Sequence, residues 1–141
     1  MTTLLPCYVL LDLETTGATP TQDRITEIGL IRYENGTEVG RWNTLINPEV
    51  SISPFIQRLT GITQGMVDHA PTFAQVCETL LQWLDQAVLC AHNVRFDYGF
   101  LKNEFKRIGV TFQKKLLCTV KLSRKLYPQH HSHSLNAIIE R

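Results

Sequence analysis

The chain has 141 residues, 43% hydrophobic and 19% charged, with a formal net charge of +1 at pH 7. Those values fit one globular domain with one core, and the sequence contains no apolar run of membrane-spanning length, no basic N-terminal leader with a small-residue cleavage site, and no repeat, low-complexity tract or linker. Four cysteines (Cys7, Cys77, Cys90, Cys118) lie in apolar surroundings without paired spacing. That pattern leads us to expect reduced, mostly buried thiols in a cytoplasmic protein rather than a disulfide frame or a zinc site. The near-neutral total hides an asymmetry. Through residue 94 there are four basic residues against ten acidic ones, whereas Arg95 to Lys125 holds nine basic and two acidic. A protein holding cations at one site and a polyanion beside it would be charged this way, and so would a solvated basic helix face.

Tyr8 to Gly17 is an apolar run closed by turn residues, and it predicts a strand buried on both faces. Asp12 and Glu14 stand two apart within it, so in a strand they share a face. Two carboxylates at the end of a buried strand repel each other and are poorly solvated, a cost that a divalent cation between them removes. Hard cations such as Mg²⁺ take oxygen ligands, commonly one or two carboxylates plus water and substrate phosphate. Thr15, Thr16 and Gly17 follow at once, offering hydroxyls and a backbone that a ligand can approach closely. The bland alternative is a strand end that is simply solvated.

Ala18 to Asp23 reads as a loop, and Ile25 to Tyr33 as a second strand. Asn35-Gly36 is a strong hairpin signal leading into a third strand from Thr37 to Ile46, stopped by Asn47-Pro48. These strands make an antiparallel meander with the first strand central. Ser53 to Leu59 predicts a short helix with Pro54 in its first turn, followed by a turn centred on Gly61. Thr72 with Gln75 matches a capping box, and Phe73, Val76, Leu80 and Leu84 continue as a helical stripe. Val88 to Ala91 is a brief buried strand. A helix starts at Asn93, with Phe96, Phe100, Leu101, Phe105 and Ile108 as its stripe and Gly109 closing it. A short strand at Leu116-Leu117, a helix from about Val120 to Leu126 and a last helical segment from Ser134 complete the chain. The pattern predicts an α/β fold, a mixed sheet with helices on both faces.

In Ala91-His92-Asn93-Val94-Arg95-Phe96-Asp97 a buried strand ends and a helix begins, so Asp97 lies one turn into the helix and can face back to the sheet. Taken alone it reads as a helix-start aspartate facing the macrodipole. Asn93 is placed to cap that helix, and Phe96 is either a core residue or a platform for a nucleobase. His130, His131 and His133 lack the spacing of a metal site.

Asp12-Leu13-Glu14-Thr15-Thr16-Gly17 resembles the first motif of the DEDD-type (DEDDh) 3′-5′ exonucleases, in the form of DNA polymerase III epsilon-type proofreading subunits. The stretch around Asp97 resembles the family's second motif, and Leu59-Thr60-Gly61-Ile62-Thr63 resembles the loop that sets an apolar side chain against 3′-terminal nucleotides. The resemblance spans nearly all of the chain. It implies one RNase H-like exonuclease domain over 1–141, two divalent cations (Mg²⁺ or Mn²⁺) held by Asp12, Glu14 and Asp97, and Ile62 as the wedge. It also implies a substrate pocket from Thr15, Thr16, Gly17, His92, Asn93 and Phe96, a single-stranded DNA 3′ end as substrate, and a polymerase III catalytic subunit as partner.

Relatives continue into His-x-Ala-x-x-Asp, which supplies the general-base histidine and a fourth carboxylate, and the sequence reaches Arg141 before it. The domain is therefore expected to lack its final motif, and the chain as it stands to be weakly active or inactive. Two other readings stay open: a non-catalytic module that binds nucleic acid or docks on a polymerase, and an exoribonuclease of the same superfamily. Where Thr60 stands, many relatives carry histidine.

Overall fold

In the strand Cys7–Thr15 (β1), Val9, Leu11 and Leu13 are buried, while Asp12 is exposed and Leu10 and Glu14 are half-buried. The expectation of a strand buried on both faces is thus corrected: the alternation is that of a strand with one core face. The structure, a computed structural model, describes residues 7–118. The expected helix at 120–126, the segment from Ser134 and the histidines at 130, 131 and 133 lie outside the described residues.

Ile25–Glu34 (β2) pairs antiparallel with β1, placing Gly29 opposite Asp12 and Glu27 opposite Glu14. Asn35 (φ 53°) and Gly36 (φ 81°) both adopt left-handed backbone, the requirement of a two-residue hairpin turn. Thr37–Leu45 (β3) returns against β2, with Leu45 facing Glu27 and Asn43 facing Gly29. Val88–Ala91 (β4) joins β1 in parallel on its other side, and Leu116–Cys118 (β5) extends the sheet, giving the order β3-β2-β1-β4-β5 with β1 in the middle.

The helices Phe73–Leu84 (α3) and Val94–Arg107 (α4) cover the Val9/Leu11/Leu13 face. The α3 stripe of Phe73, Val76, Leu80 and Leu84 is buried as its period requires, behind the Thr72–Gln75 capping box. It meets Phe100, Leu101 and Phe105 of α4, with Phe73 edge-on to Phe105 at 4.9 Å. Each such fully buried side chain contributes roughly 1.5–3 kcal/mol of hydrophobic stabilisation.

Pro54–Thr60 (α1) is capped by Ser53 and ended by Gly61 (φ 77°). A further short helix, Gln64–Asp68 (α2), follows the turn at Gly61, over residues to which the sequence assigned no element; the Thr63 hydroxyl accepts from Met66 N at its start. Between α1 and α2 lies a second small core of Ile52, Ile62 and Val67, packed with Ile56 and with Leu45 of β3. Leu45 shares the sheet face of Glu27 and Glu14, so this helix pair sits at the Glu14 end of the carboxylate-bearing face. Helices thus occupy both faces of the sheet.

Candidate active site

Strand parity puts Asp12 and Glu14 side by side, and the ladder register shifts between Glu14 and Thr15. Such bulges bend a strand and re-aim its side chains. Gly29, opposite Asp12, contributes no side chain, which leaves the space in front of that carboxylate open. The third carboxylate comes from the neighbouring strand. Because β4 runs parallel to β1 and passes into α4 within two residues, the first turn of α4 lies over the C-terminal half of β1. Asp97 is carried inward there, 7% exposed, on the α4 face shared with Val94, Phe100, Leu101 and Glu104.

The three carboxyls influence one another electrostatically. Burial, then the charge of Asp12, and more weakly that of Glu14, push the Asp97 carboxyl up to about 7, against backbone amides at Leu13 and Asp97 that pull it down. Glu14 is raised by burial and then by Asp12 and Glu27. Asp12 is raised by burial, while His92 and the Leu13 amide act the other way. Among the described residues no three His, Cys, Asp or Glu side chains form a ready metal cage. The donor set is nonetheless all oxygen, and its mutual repulsion is what a hard divalent cation would relieve. A cation completing its shell with water and phosphate needs no all-protein cage, so these residues fit one.

The threonines are placed differently from the expectation that they offer hydroxyls to a ligand. Thr15 Oγ1 donates to Gly17 O (2.6 Å). Thr16 Oγ1 donates to Asp23 Oδ1 (3.2 Å) and accepts from Arg24 N (3.0 Å). Asp23 also accepts from Thr19 N (2.9 Å), which makes it the hub of the loop. Gly17 fits here because a Cβ would meet the Asp23 carboxylate, which the loop's own hydrogen bonds hold in place. The hydroxyls therefore order the loop beside the carboxylates.

His92, half-buried at the end of β4, acts electrostatically on Asp12. Asn93 stands at the start of α4, but its side chain makes no capping bond, a correction that follows from its backbone (φ −126°, ψ 75°) in the tight β4–α4 passage. Phe96 leans on Phe100, ring centres 4.8 Å apart, and is partly buried against the core. Ile62 is corrected as well. It is 5% exposed in the small core, whereas Leu59, at the end of α1, is 68% exposed. On the carboxylate face, Leu10, Asp12, Gly29, Ile31, Arg41 and Asn43 line a cavity of about 480 Å³.

One cluster escaped the sequence reading. Glu104, 1% exposed on α4, accepts from Arg24 Nε (3.0 and 3.1 Å) and from Ile25 N (3.0 Å), with Arg24 Nη2 at 2.8 Å and Arg107 Nη1 at 3.4 Å. Arg107 donates to the carbonyls of Pro20 and Thr21, both at 3.2 Å. The available signal was a carboxylate between Leu101 and Phe105 on an apolar helix face.

No described helix is long and apolar enough to cross a membrane. The family model described as Exonuclease (RNase_T) matches residues 9–141. The PolC-type DNA polymerase III of Caldanaerobacter subterraneus subsp. tengcongensis is 39% identical over 133 residues, 94% of this chain and 10% of that protein. The 3′-5′ exonuclease DinG of Bacillus subtilis is 39% identical over 135 residues, 94% of this chain and 14% of that protein. The chain thus spans between about a tenth and a fifth of the length of the curated relatives it matches. Among solved structures, exonuclease X in complex with 5′ overhanging duplex DNA aligns with TM-score 0.70 and 27% identity, over 94% of this chain and 71% of that one. Apo exonuclease I aligns with TM-score 0.77 and 20% identity, over 88% of this chain and 31% of that one. The mixed five-stranded sheet is RNase H-like.

Proposed function

The chain belongs to the exonuclease family whose model spans residues 9–141, and from that membership we propose that it is a metal-dependent 3′-5′ exonuclease domain acting on single-stranded DNA, in polymerase III-type proofreading or repair. The observation that supports this reading is the placement of Asp12 and Glu14 on one face of β1, with Asp97 buried in the first turn of the helix that follows the neighbouring strand β4.

Asp12, Glu14 and Asp97 would hold two divalent cations, Mg²⁺ or Mn²⁺. When bound, these supply charge stabilisation at the scissile phosphate and an activated water for phosphodiester hydrolysis. The rest falls to the chain. With its carboxyl raised to about 7, Asp97 would be only partly charged at neutral pH in the metal-free protein, and a bound cation would favour its charged form. The Thr15–Asp23 loop, braced by its own hydrogen bonds, presents ordered backbone beside Glu14, where a free 3′ hydroxyl would be read. Gly29 keeps the approach to Asp12 open. Leu59, exposed on α1 at the Glu14 end of the sheet, takes the wedge role against the terminal bases that the sequence assigned to Ile62. His92, Asn93 and Phe96, at the β4–α4 passage that carries Asp97, would border the bound strand, and a polymerase III catalytic subunit is the partner that the PolC relatives suggest. A second reading, a nucleic-acid-binding module without catalysis, draws on the absence of a ready three-donor cage among the described residues.

The test is digestion of a 5′-labelled single strand with Mn²⁺, using this chain, a form continued past Arg141, and Asp12→Ala in each. Products shortening from the 3′ end, lost in Asp12→Ala, are expected. Release of the labelled 5′ nucleotide first, or binding without cleavage by either form, overturns the proposal.

A further inference from the structure

We propose that Glu104 is a positioning residue: by bonding Arg24 and the Ile25 amide it fixes α4 against β1 and β2, and so holds Asp97 in place beside Asp12 and Glu14. The proposal rests on the reading of those three carboxylates as cation holders.

Asp97 and Glu104 lie seven residues, or about two turns, apart on the inward face of one helix. Whatever fixes Glu104 along the helix axis therefore also fixes Asp97. Glu104 is held from several directions. Arg24, which enters β2, reaches it through Nε and Nη2, and the Ile25 amide reaches the same carboxylate at 3.0 Å. Arg107, one turn further along α4, stands 3.4 Å from it and bonds the Pro20 and Thr21 carbonyls of the loop. One buried carboxylate thus joins the helix of Asp97, the first residues of β2, and the loop that leaves β1 just past Glu14.

An apolar side chain would fill this place with less desolvation cost. What packing lacks is direction. Leucine and phenylalanine contacts tolerate a helix sliding by a fraction of its 1.5 Å rise, whereas a carboxylate held by a guanidinium fork and an amide does not. Cation sites and reacting groups are sensitive on that scale: a misplacement of about 1 Å can cost roughly a hundredfold. Residues that orient metal-holding side chains typically change affinity or activity about 10- to 100-fold when lost.

The experiment measures Mn²⁺ affinity by electron paramagnetic resonance, and kcat and KM on a single-stranded oligonucleotide, in the active form of the protein. The variants are Glu104→Gln, Arg24→Lys and Asp97→Ala, with Leu80→Ala as a control that loosens the α3 core. Glu104→Gln is expected to lower Mn²⁺ affinity and kcat at least about tenfold while KM changes less than about twofold. Leu80→Ala, assayed well below its melting temperature, is expected to keep wild-type Mn²⁺ affinity. Glu104→Gln with wild-type affinity and kcat but a lower melting temperature overturns the proposal, because the cluster is then only a structural tie. Should Glu104→Gln fail to fold, Arg24→Lys decides: it keeps the charge but loses the fork, and wild-type affinity and kcat in it overturn the proposal. Wild-type Mn²⁺ affinity in Asp97→Ala instead overturns the cation-holding reading itself.

Discussion

Asp12 on β1 acts on Asp97 on α4: after burial, the charge of Asp12 is the largest influence raising the Asp97 carboxyl to about 7. A pH dependence follows. The ordinary value is 3.8. From there up to about 7 the folded chain keeps a proton that the unfolded chain releases, so metal-free stability falls as pH rises through this window and levels off above it. The expected contribution is on the order of 2–4 kcal/mol between pH 4 and 8. Thermal unfolding in EDTA should show a steeper loss from pH 5 to 8 in wild type than in Asp97→Asn, and equal slopes would refute the assignment. Added Mn²⁺ should stabilise most at the alkaline end, where it no longer displaces a proton.

Removing Arg24 alone should cost more than removing its partner too. Arg24→Met strands the Glu104 carboxylate, which is 1% exposed, at an expected loss of about 3–5 kcal/mol. The double variant Arg24→Met/Glu104→Leu replaces the pair by apolar groups and should recover most of that loss in urea unfolding. A double variant as unstable as the single one would show that Arg24 acts chiefly through its other contacts.

Two apolar residues three positions apart should behave oppositely. Ile62→Ala opens the small core and is expected to cost about 2–4 kcal/mol, with little direct effect on oligonucleotide binding. Leu59→Ala should leave stability within about 0.5 kcal/mol while weakening capture of a single-stranded 3′ end in fluorescence anisotropy. Unchanged binding in Leu59→Ala would remove the wedge from the proposal.

Gly17→Ala should disturb the loop beside Glu14, because the new methyl group meets the Asp23 carboxylate, which the loop's hydrogen bonds hold. A loss of roughly 1–3 kcal/mol is expected, together with reduced nuclease activity. Truncating Asp23 in the same chain relieves the clash, so Gly17→Ala/Asp23→Ala should be no less stable than Asp23→Ala alone. If Gly17→Ala matched wild type in unfolding and activity, the loop would have to yield freely at Asp23.

What the sequence revealed was local. The Asn35-Gly36 turn, the Thr72–Gln75 box and the α3 stripe each speak over a few residues, and each is realised as read. The shared face of Asp12 and Glu14 follows from parity alone. The inward turn of Asp97 needed a second fact, that its helix leaves a strand lying directly beside β1.

Other features were hidden for definable reasons. The five residues of α2 are too few to display a helical period. Leu59 and Ile62 straddle the left-handed residue Gly61, so the phase of α1 says nothing about which of them points inward. The bond between Glu104 and Ile25 joins positions distant in sequence, and no window along the chain contains both.

The two neighbours of β1 also differ in how they are reached. β2 arrives by the next turn of chain, whereas β4 pairs through Val9 and Leu89 only after α1, α2 and α3 have intervened. Local antiparallel pairs close cheaply and early, while distant parallel pairs carry a larger loop entropy and close late. A chain emerging from the ribosome can therefore build its meander, with Asp12 and Glu14 in place, well before Asp97 has been synthesised or docked. On that order the three carboxylates would come together late, and a partly folded chain would lack the proposed centre.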